Sequence, residues 1–288
     1  MAESTRNMYQ RLENIRSIQP LVEALRTISL AKWRNSLNRI QYLKNYQEKL
    51  AGIYQIILSS YRAVGMEKKS KTDSTEWYFL IGSQRGFCGN FNQRLIRRLQ
   101  EELSARSPEN YQLYVYGKKI KQILEKSDIQ FYPLPVLFNI EQVERDTIVK
   151  LFKLEGFSPE EHEISLLYNK YTGAGRYETI FETLFPIQTP EPGEDHPTSQ
   201  QEYIFDTDPD ELRKYMEQEL LVIRMMNSFL SAAASEYSTR FQIMENAVEN
   251  ADDLVEELQI QVQEERRKKI TSEMRELAVG AGLLGKKK

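Results

Sequence analysis

The chain is poor in the residues on which most small catalytic and metal sites are built. Cys88 is its one cysteine, so it forms no disulfide within the chain and offers no cysteine-based metal site. His162 and His196 are the only histidines, and both lie far from Cys88 in sequence, which gives a Cys/His catalytic pair little support. No apolar run approaches the roughly 18 residues of a membrane span, and the opening residues MAESTRN lack the pattern of a secretory signal. A soluble intracellular protein is expected. The net charge of -3 lacks the basic footprint of a nucleic-acid binder. Charge itself is abundant: 28% of the 288 residues are Asp, Glu, Lys or Arg and 40% are hydrophobic, with a mean hydropathy of -0.58. That balance leans toward coiled coil, and the length allows one or two domains.

Residues 209–277 carry one apolar seam. It runs through Ile223, Met226, Leu230, Ala234, Tyr237, Phe241, Met244, Val248, Ala251, Val255, Leu258 and Val262. The steps alternate between three and four, close to the 3.5 of a left-handed coiled coil, and no proline follows Pro209. At 1.5 Å per residue this predicts a helix about 100 Å long. A helix of that length protrudes from any domain this chain can build, and its seam needs a covering partner. Residues 4–66 supply one. Met8, Leu12, Ile15, Ile18, Val22, Leu25 and Ile28 keep helical spacing, and the stripe resumes after Trp33 at Leu37, Ile40, Leu43, Leu50, Ile53, Ile57 and Val64. Pro20 is expected to kink or split this helix near Gln19. The polar run 67–76 reads as a linker.

Between the two helices the period changes. Strands are expected at 77–81, 111–116, 129–131, 163–171 and 177–185, and helices at 92–103, 118–126 and 140–154. Strands alternating with helices predict a small α/β domain with a mostly parallel, Rossmann-like sheet. Residues 188–201 read as a surface loop leading to an edge strand at 203–205. The fold class is thus mixed α and β: a long antiparallel coiled coil from the terminal helices (1–66 and 209–288) with an inserted α/β domain (77–206).

The turn Gly82-Ser83-Gln84-Arg85-Gly86-Phe87-Cys88-Gly89 lies between strand and helix, where backbone N–H groups can hold an anion. It lacks both the Lys-Ser/Thr of a P-loop and the spacing of the dinucleotide fingerprint, so a structural turn stands beside a nucleotide site as its reading. Asp252, Asp253, Glu256 and Glu257 fit a solvated face better than a metal site, because no His or Cys joins them. Arg266, Arg267, Lys268 and Lys269 form a basic run, and continuing the seam from Val262 places Arg266 on it. A cation on an apolar seam marks either simple solvation or a change of neighbour.

Four separated segments carry a resemblance. Ser235-Glu236-Tyr237 through Asn250-Ala251, with Ile270-Thr271-Ser272-Glu273-Met274-Arg275-Glu276-Leu277 and Gly280-Ala281, resemble the C-terminal signature of the gamma subunit of rotary F-type ATP synthases. The turn from Gly82 to Gly89 is similar to the family's turn after its first central strand. Ile15, Gln19, Ala24, Ala31 and Lys32 fall at matching places, and Tyr168-Asn169-Lys170-Tyr171 resembles a further family segment.

The resemblance implies a rotor subunit without catalytic residues, metal or cofactor of its own. Its partners would be the α and β subunits of the α3β3 head, the epsilon subunit and the membrane c-ring. It implies a location on the cytoplasmic face of the membrane, held there only through those partners. By position, Arg266 and Arg267 would meet a β catch loop, with Arg267 where the family commonly has Gln. Lys32, Arg34 and Arg39 would face an acidic lever segment of β, with Gln19 and Leu25 in the coupling region, where Leu25 replaces a Met. Tyr203 and Asp206 would meet the membrane ring, and Gly82, Arg85, Gly86, Cys88 and Gly89 would form the structural turn. The run Ile18-Gln19-Pro20-Leu21-Val22-Glu23 and the tail Gly285-Lys286-Lys287-Lys288 depart from the family pattern and mark a divergent branch. A single cysteine excludes the redox switch of photosynthetic members. A free-standing coiled-coil tether and a nucleotide-binding α/β enzyme are the alternatives.

Overall fold

The computed structural model describes residues 2–63, 75–106, 110–134, 140, 142–156, 162–187 and 205–280. Helix α1 spans Ala2–Ala63 and α5 spans Pro209–Gly280. Between them lie β1 (Thr75–Ile81), α2 (Phe91–Arg106), β2 (Tyr111–Tyr116), α3 (Lys118–Leu124), β3 (Tyr132–Pro133), α4 (Arg145–Glu155), β4 (His162–Gly173) and β5 (Arg176–Phe185).

The sheet forms because its strands are apolar on both faces, as strands covered from two sides must be. Successive residues of β1 point to opposite faces. Trp77, Phe79 and Ile81 join Tyr114, Tyr116, Ile164, Leu166 and Tyr168 in one core, closed by α4, α5 and Leu50, Tyr54 and Ile57 of α1. Tyr78 and Leu80 join Leu113, Val115 and Leu167 in a second core under Phe91, Leu95 and Leu99 of α2 and Ile120 and Leu124 of α3. The strand order is β3-β2-β1-β4-β5, parallel except for the antiparallel β4–β5 pair. The expected mostly parallel sheet is what forms.

By contacts the chain divides into two units, Met1–Ile28 with Phe241–Lys288, and Ser29–Arg240. Within the first, Gln19 Nε2 donates to Asp252 Oδ1 at 2.8 Å and Arg26 pairs with Glu245 at 3.6 Å. Rising numbers on α1 meet falling numbers on α5, so the helices are antiparallel. Leu12, Met244, Leu258 and Val262 are buried there. Within the second unit, Lys32 Nζ donates to Tyr237 Oη at 3.3 Å, Asn227 Nδ2 to Gln47 Oε1, and Tyr54 Oη to Glu217 Oε1 at 2.7 Å, again in opposed order. The sheet is tied to α5 in the same unit. Ser235 Oγ donates to the Asn169 carbonyl at 2.6 Å, the Tyr171 N–H donates to Ser231 Oγ at 3.0 Å, and Arg224 donates to the Leu184 carbonyl at 3.2 Å.

Four expectations differ from the structure. Helix α1 runs unbroken through Pro20. Pro20 is exposed, so the carbonyl one turn earlier that loses its N–H partner is on the wet side of the helix, where water replaces the bond. Ile18 and Ile28 are 53% and 44% exposed, whereas Ser29 and Ser36 are 1% exposed. A hydroxyl can be buried here because it bonds back into its own helix, as Ser36 Oγ does to the Lys32 carbonyl at 3.0 Å. The third strand sits at Tyr132–Pro133 rather than 129–131, pairing Tyr114 with Tyr132 and Val115 with Pro133. As an edge strand it tolerates a proline that lacks an N–H. Phe205 lies in no strand, and Tyr203, the start of the expected edge strand, lies outside the described residues.

Three buried tyrosines keep their hydroxyls on carboxylates. Tyr78 donates to Glu76, Tyr114 to Glu155 Oε2 at 3.1 Å and Tyr168 to Glu182 Oε2 at 3.2 Å. Burial first, and then those carboxylates, push all three hydroxyls above the ordinary value of 10.0. Between that value and the higher folded values the unfolded chain releases protons before the folded one. The stability they contribute is therefore complete below a pH of about 10 and is lost as pH rises beyond it. Urea midpoints measured across this range should fall as pH rises.

Candidate functional site

The turn after β1 begins where two backbones touch. The Gly82 N–H donates to the Tyr116 carbonyl at 2.9 Å, and a Cβ on Gly82 would lie 2.4 Å from Ile120 Cγ2 and 2.9 Å from Asn92 Oδ1. Opposite it, Gly117 takes φ 110° with the Gly82 carbonyl oxygen 2.5 Å from where its own Cβ would be. Gly82 is thus required by close approach rather than by its dihedral. The positive dihedrals of the turn fall on Gly89 at φ 57° and on Phe87 at φ 61°, and Gly86 has none. Asn92, the second residue of α2, secures the turn: its Oδ1 accepts the Ser83 N–H at 3.0 Å and its Nδ2 donates to Ser83 Oγ at 2.8 Å.

Two backbone carbonyls of the turn are taken by α5. Glu236 and Arg240 stand one helical turn apart and form an ion pair, with side chains only 5% and 3% exposed. Arg240 donates from Nε to the Gly86 carbonyl at 3.1 Å and from Nη2 to the Arg85 carbonyl at 3.2 Å. Burial pushes the Glu236 carboxyl up, and Arg240 and the nearby backbone of Arg85 and Gln84 offset only part of that rise. The anion beside this turn is therefore a side chain of the protein itself. Cys88 Sγ points to the Arg85 carbonyl at 3.8 Å, and burial pushes its thiol up, away from the thiolate a nucleophile needs. His162 pairs with Thr75 at the far end of β1 and rests on the Trp77 ring, centroids 4.6 Å apart. No Cys/His pair assembles from these two residues, and His196 lies outside the described residues. Among the described residues, no group of three or more His, Cys, Asp or Glu is gathered for a metal ion, and no helix is long and apolar enough to cross a membrane.

The seam residues of α5 from Ile223 to Val262 are buried or half-buried throughout. Beyond Val262 the same helix changes character. Arg266 and Arg267 are exposed, and Ile270, Met274, Leu277 and Val279 are 44%, 66%, 72% and 65% exposed. On α1, Arg34 is exposed, Leu25 is half-buried, and Lys32 lies 5.2 Å from the Tyr237 ring. Arg39 Nη2 donates to the Val143 carbonyl at 2.9 Å, and Gln19 is held by Asp252. Asp206 is exposed just before α5.

The ATP synthase gamma chain of Pelotomaculum thermopropionicum is 25% identical over 290 residues, covering 98% of this chain and 99% of its own length. That of Fusobacterium nucleatum is 24% identical and covers 95% and 97%. A family model described as ATP synthase matches residues 4–284. The chain belongs to the ATP synthase gamma family. Its fold is that of solved ATP synthase rotors: the Euglena gracilis mitochondrial rotor aligns with a TM-score of 0.62 at 15% identity, covering 94% of this chain and 100% of the other. The Tetrahymena thermophila central stalk aligns at 0.56 and 18%, covering 79% and 99%. Within this gamma-family chain, Glu236 and Arg240 are the pair that sequence reasoning passed over. A Glu and an Arg four apart are ordinary on exposed helix faces, and only the buried seam on both sides of them gave a signal.

Two outcomes follow from the filled turn. Equilibrium dialysis of the pure chain should show neither ATP nor NAD retained, because the buried Glu236 carboxylate stands beside the turn where a phosphate would have to lie. Gly82→Ala should lower stability by about 3 kcal/mol, the upper range for overpacking, seen as a fall in the urea midpoint.

Proposed function

We propose that the chain is the central rotor stalk of an F-type ATP synthase, non-catalytic by itself, coupling ion flow through a membrane ring to ATP turnover in an α3β3 head. The observation that carries this beyond family membership is the tip of α5. Large apolar side chains follow Arg266 along a helix whose earlier seam is buried. A free-standing tether would gain nothing from such a tip, whereas a shaft turning in a surrounding bearing needs a surface that several neighbours can touch in turn. An asymmetric shaft biases otherwise equal sites only by touching each differently.

In this role residues 1–66 and 209–288 are the two halves of the shaft and 77–206 the foot. Arg266 and Arg267 meet a β catch loop. Exposed Arg34, with Lys32 and Arg39 beside it, serves an acidic lever segment of β, and Gln19 and Leu25 lie in the coupling region. Tyr203 and Asp206 contact the membrane ring, and epsilon docks on the foot. The chain is then peripheral to the membrane on its cytoplasmic side, held by its partners.

Purification from the native host through a tag on this chain should bring down α and β ATPase subunits, and their absence would refute the proposal. In the reconstituted complex, Arg266→Glu should lower coupled ATP turnover by roughly tenfold, the effect of about 1.4 kcal/mol of lost contact.

A further inference from the structure

The sheet domain meets α5 through apolar side chains and through the separate hydrogen bonds of Ser231, Ser235 and Arg224; apolar burial is non-directional and resists separation far better than it resists turning. The contact between the turn and α5 is of a different kind. Two charged side chains one helical turn apart reach from α5 to a single turn: Arg240 donates to the carbonyls of Arg85 and Gly86, and the Glu236 carboxylate paired with it lies beside the backbone of Gln84 and Arg85. Each bond has its own direction, and none can be exchanged for water, because both side chains are almost wholly buried.

Both ends of the contact are anchored. On the sheet side, Asn92 bridges Ser83 and the Gly82 backbone packs on Ile120. On the helix side, the Arg240 guanidinium lies 5.3 Å from the centroid of the Tyr237 ring, and Tyr237 Oη accepts from Lys32 of α1. Helix α5 continues without interruption from this point to Gly280. A turning force on α5 acts at right angles to its axis at the ends of its side chains, which is where these bonds stand.

We infer that Glu236 and Arg240 form the joint that holds the sheet domain against rotation about α5, so that torque passes between foot and shaft through the turn at Gln84, Arg85 and Gly86. They are positioning residues and need touch neither nucleotide nor ion. The inference rests on the rotor proposal above. It adds an orientation: the guanidinium must face the carbonyls of Arg85 and Gly86.

The test uses the reversed pair, Glu236→Arg with Arg240→Glu, in the complete complex reconstituted into vesicles. Reversal keeps the attraction within the helix but sets a carboxylate against the Arg85 and Gly86 carbonyls. ATP hydrolysis and ATP-driven ion uptake are measured on the same vesicles. Ions moved per ATP hydrolysed should fall by at least about fivefold while hydrolysis persists, the effect of losing one well-formed interaction. Arg240→Lys, which keeps the charge but not the planar fork that spans two carbonyls, should lose about half of that ratio. It decides the matter if the reversed pair does not assemble. Glu219→Gln, which breaks the ion pair with Arg145 elsewhere on α5, is the control: it should lower the urea midpoint and leave the ratio unchanged. An unaltered ratio in the assembled reversed pair, or in Arg240→Lys where only that variant assembles, overturns the joint. Failure of the unmodified chain to assemble with α and β overturns the rotor proposal instead.

Discussion

An apolar stripe along a helix is costly in water until another surface covers it, and α5 carries such a stripe for most of its length. In each of the two units, α1 runs antiparallel beside α5, with Gln19 on Asp252 and Arg26 on Glu245 in one and Tyr54 on Glu217 in the other. The sheet adds a second cover in the Ser29–Arg240 unit, where Leu221, Val222, Met225 and Phe229 join the core formed with Phe79, Leu166 and Leu184. There α5 is buried almost all round, as a helix gripped from several sides must be. The rest of the molecule follows from meeting that one requirement.

How much of this was legible in the sequence depended on whether the signal was periodic. The α5 seam was, and each residue from Ile223 to Val262 that the spacing singled out is covered. The strands at β1, β2, β4 and β5 were legible because β-branched and aromatic residues cluster there between polar breaks. The α1 seam was harder, since Ser29 and Ser36 occupy it and apolar Ile18 and Ile28 do not. Hydrophobicity ranks those four the wrong way, because a serine that bonds its own helix backbone costs little to bury and lets a neighbour come close. The split that was one of the two outcomes expected at Pro20 does not occur, for a related reason: a lost hydrogen bond matters only where water cannot replace it.

The turn shows the opposite case, in which the residues were visible but their purposes were not. Its glycines suggested unusual dihedrals, yet Gly82 is there for lack of a side chain, and an aromatic residue, Phe87, takes a left-handed conformation at φ 61°. Holding a bulky residue there costs on the order of 1 kcal/mol or more, which surrounding contacts must offset. The neighbouring Arg85 and Gly86 carbonyls are held by Arg240, some 150 positions later in the chain. No local rule links the two segments.

In an open sheet whose strand order reverses beside its first strand, the crevice above the carboxyl ends of the central strands is the usual place for a small molecule. Here that crevice lies between β1 and β4. Ser235 on the Asn169 carbonyl and Arg240 on the Arg85 and Gly86 carbonyls lay α5 across it. The mouth of this open sheet is closed by a piece of the protein itself. What such folds ordinarily use as a receptacle has become a handle.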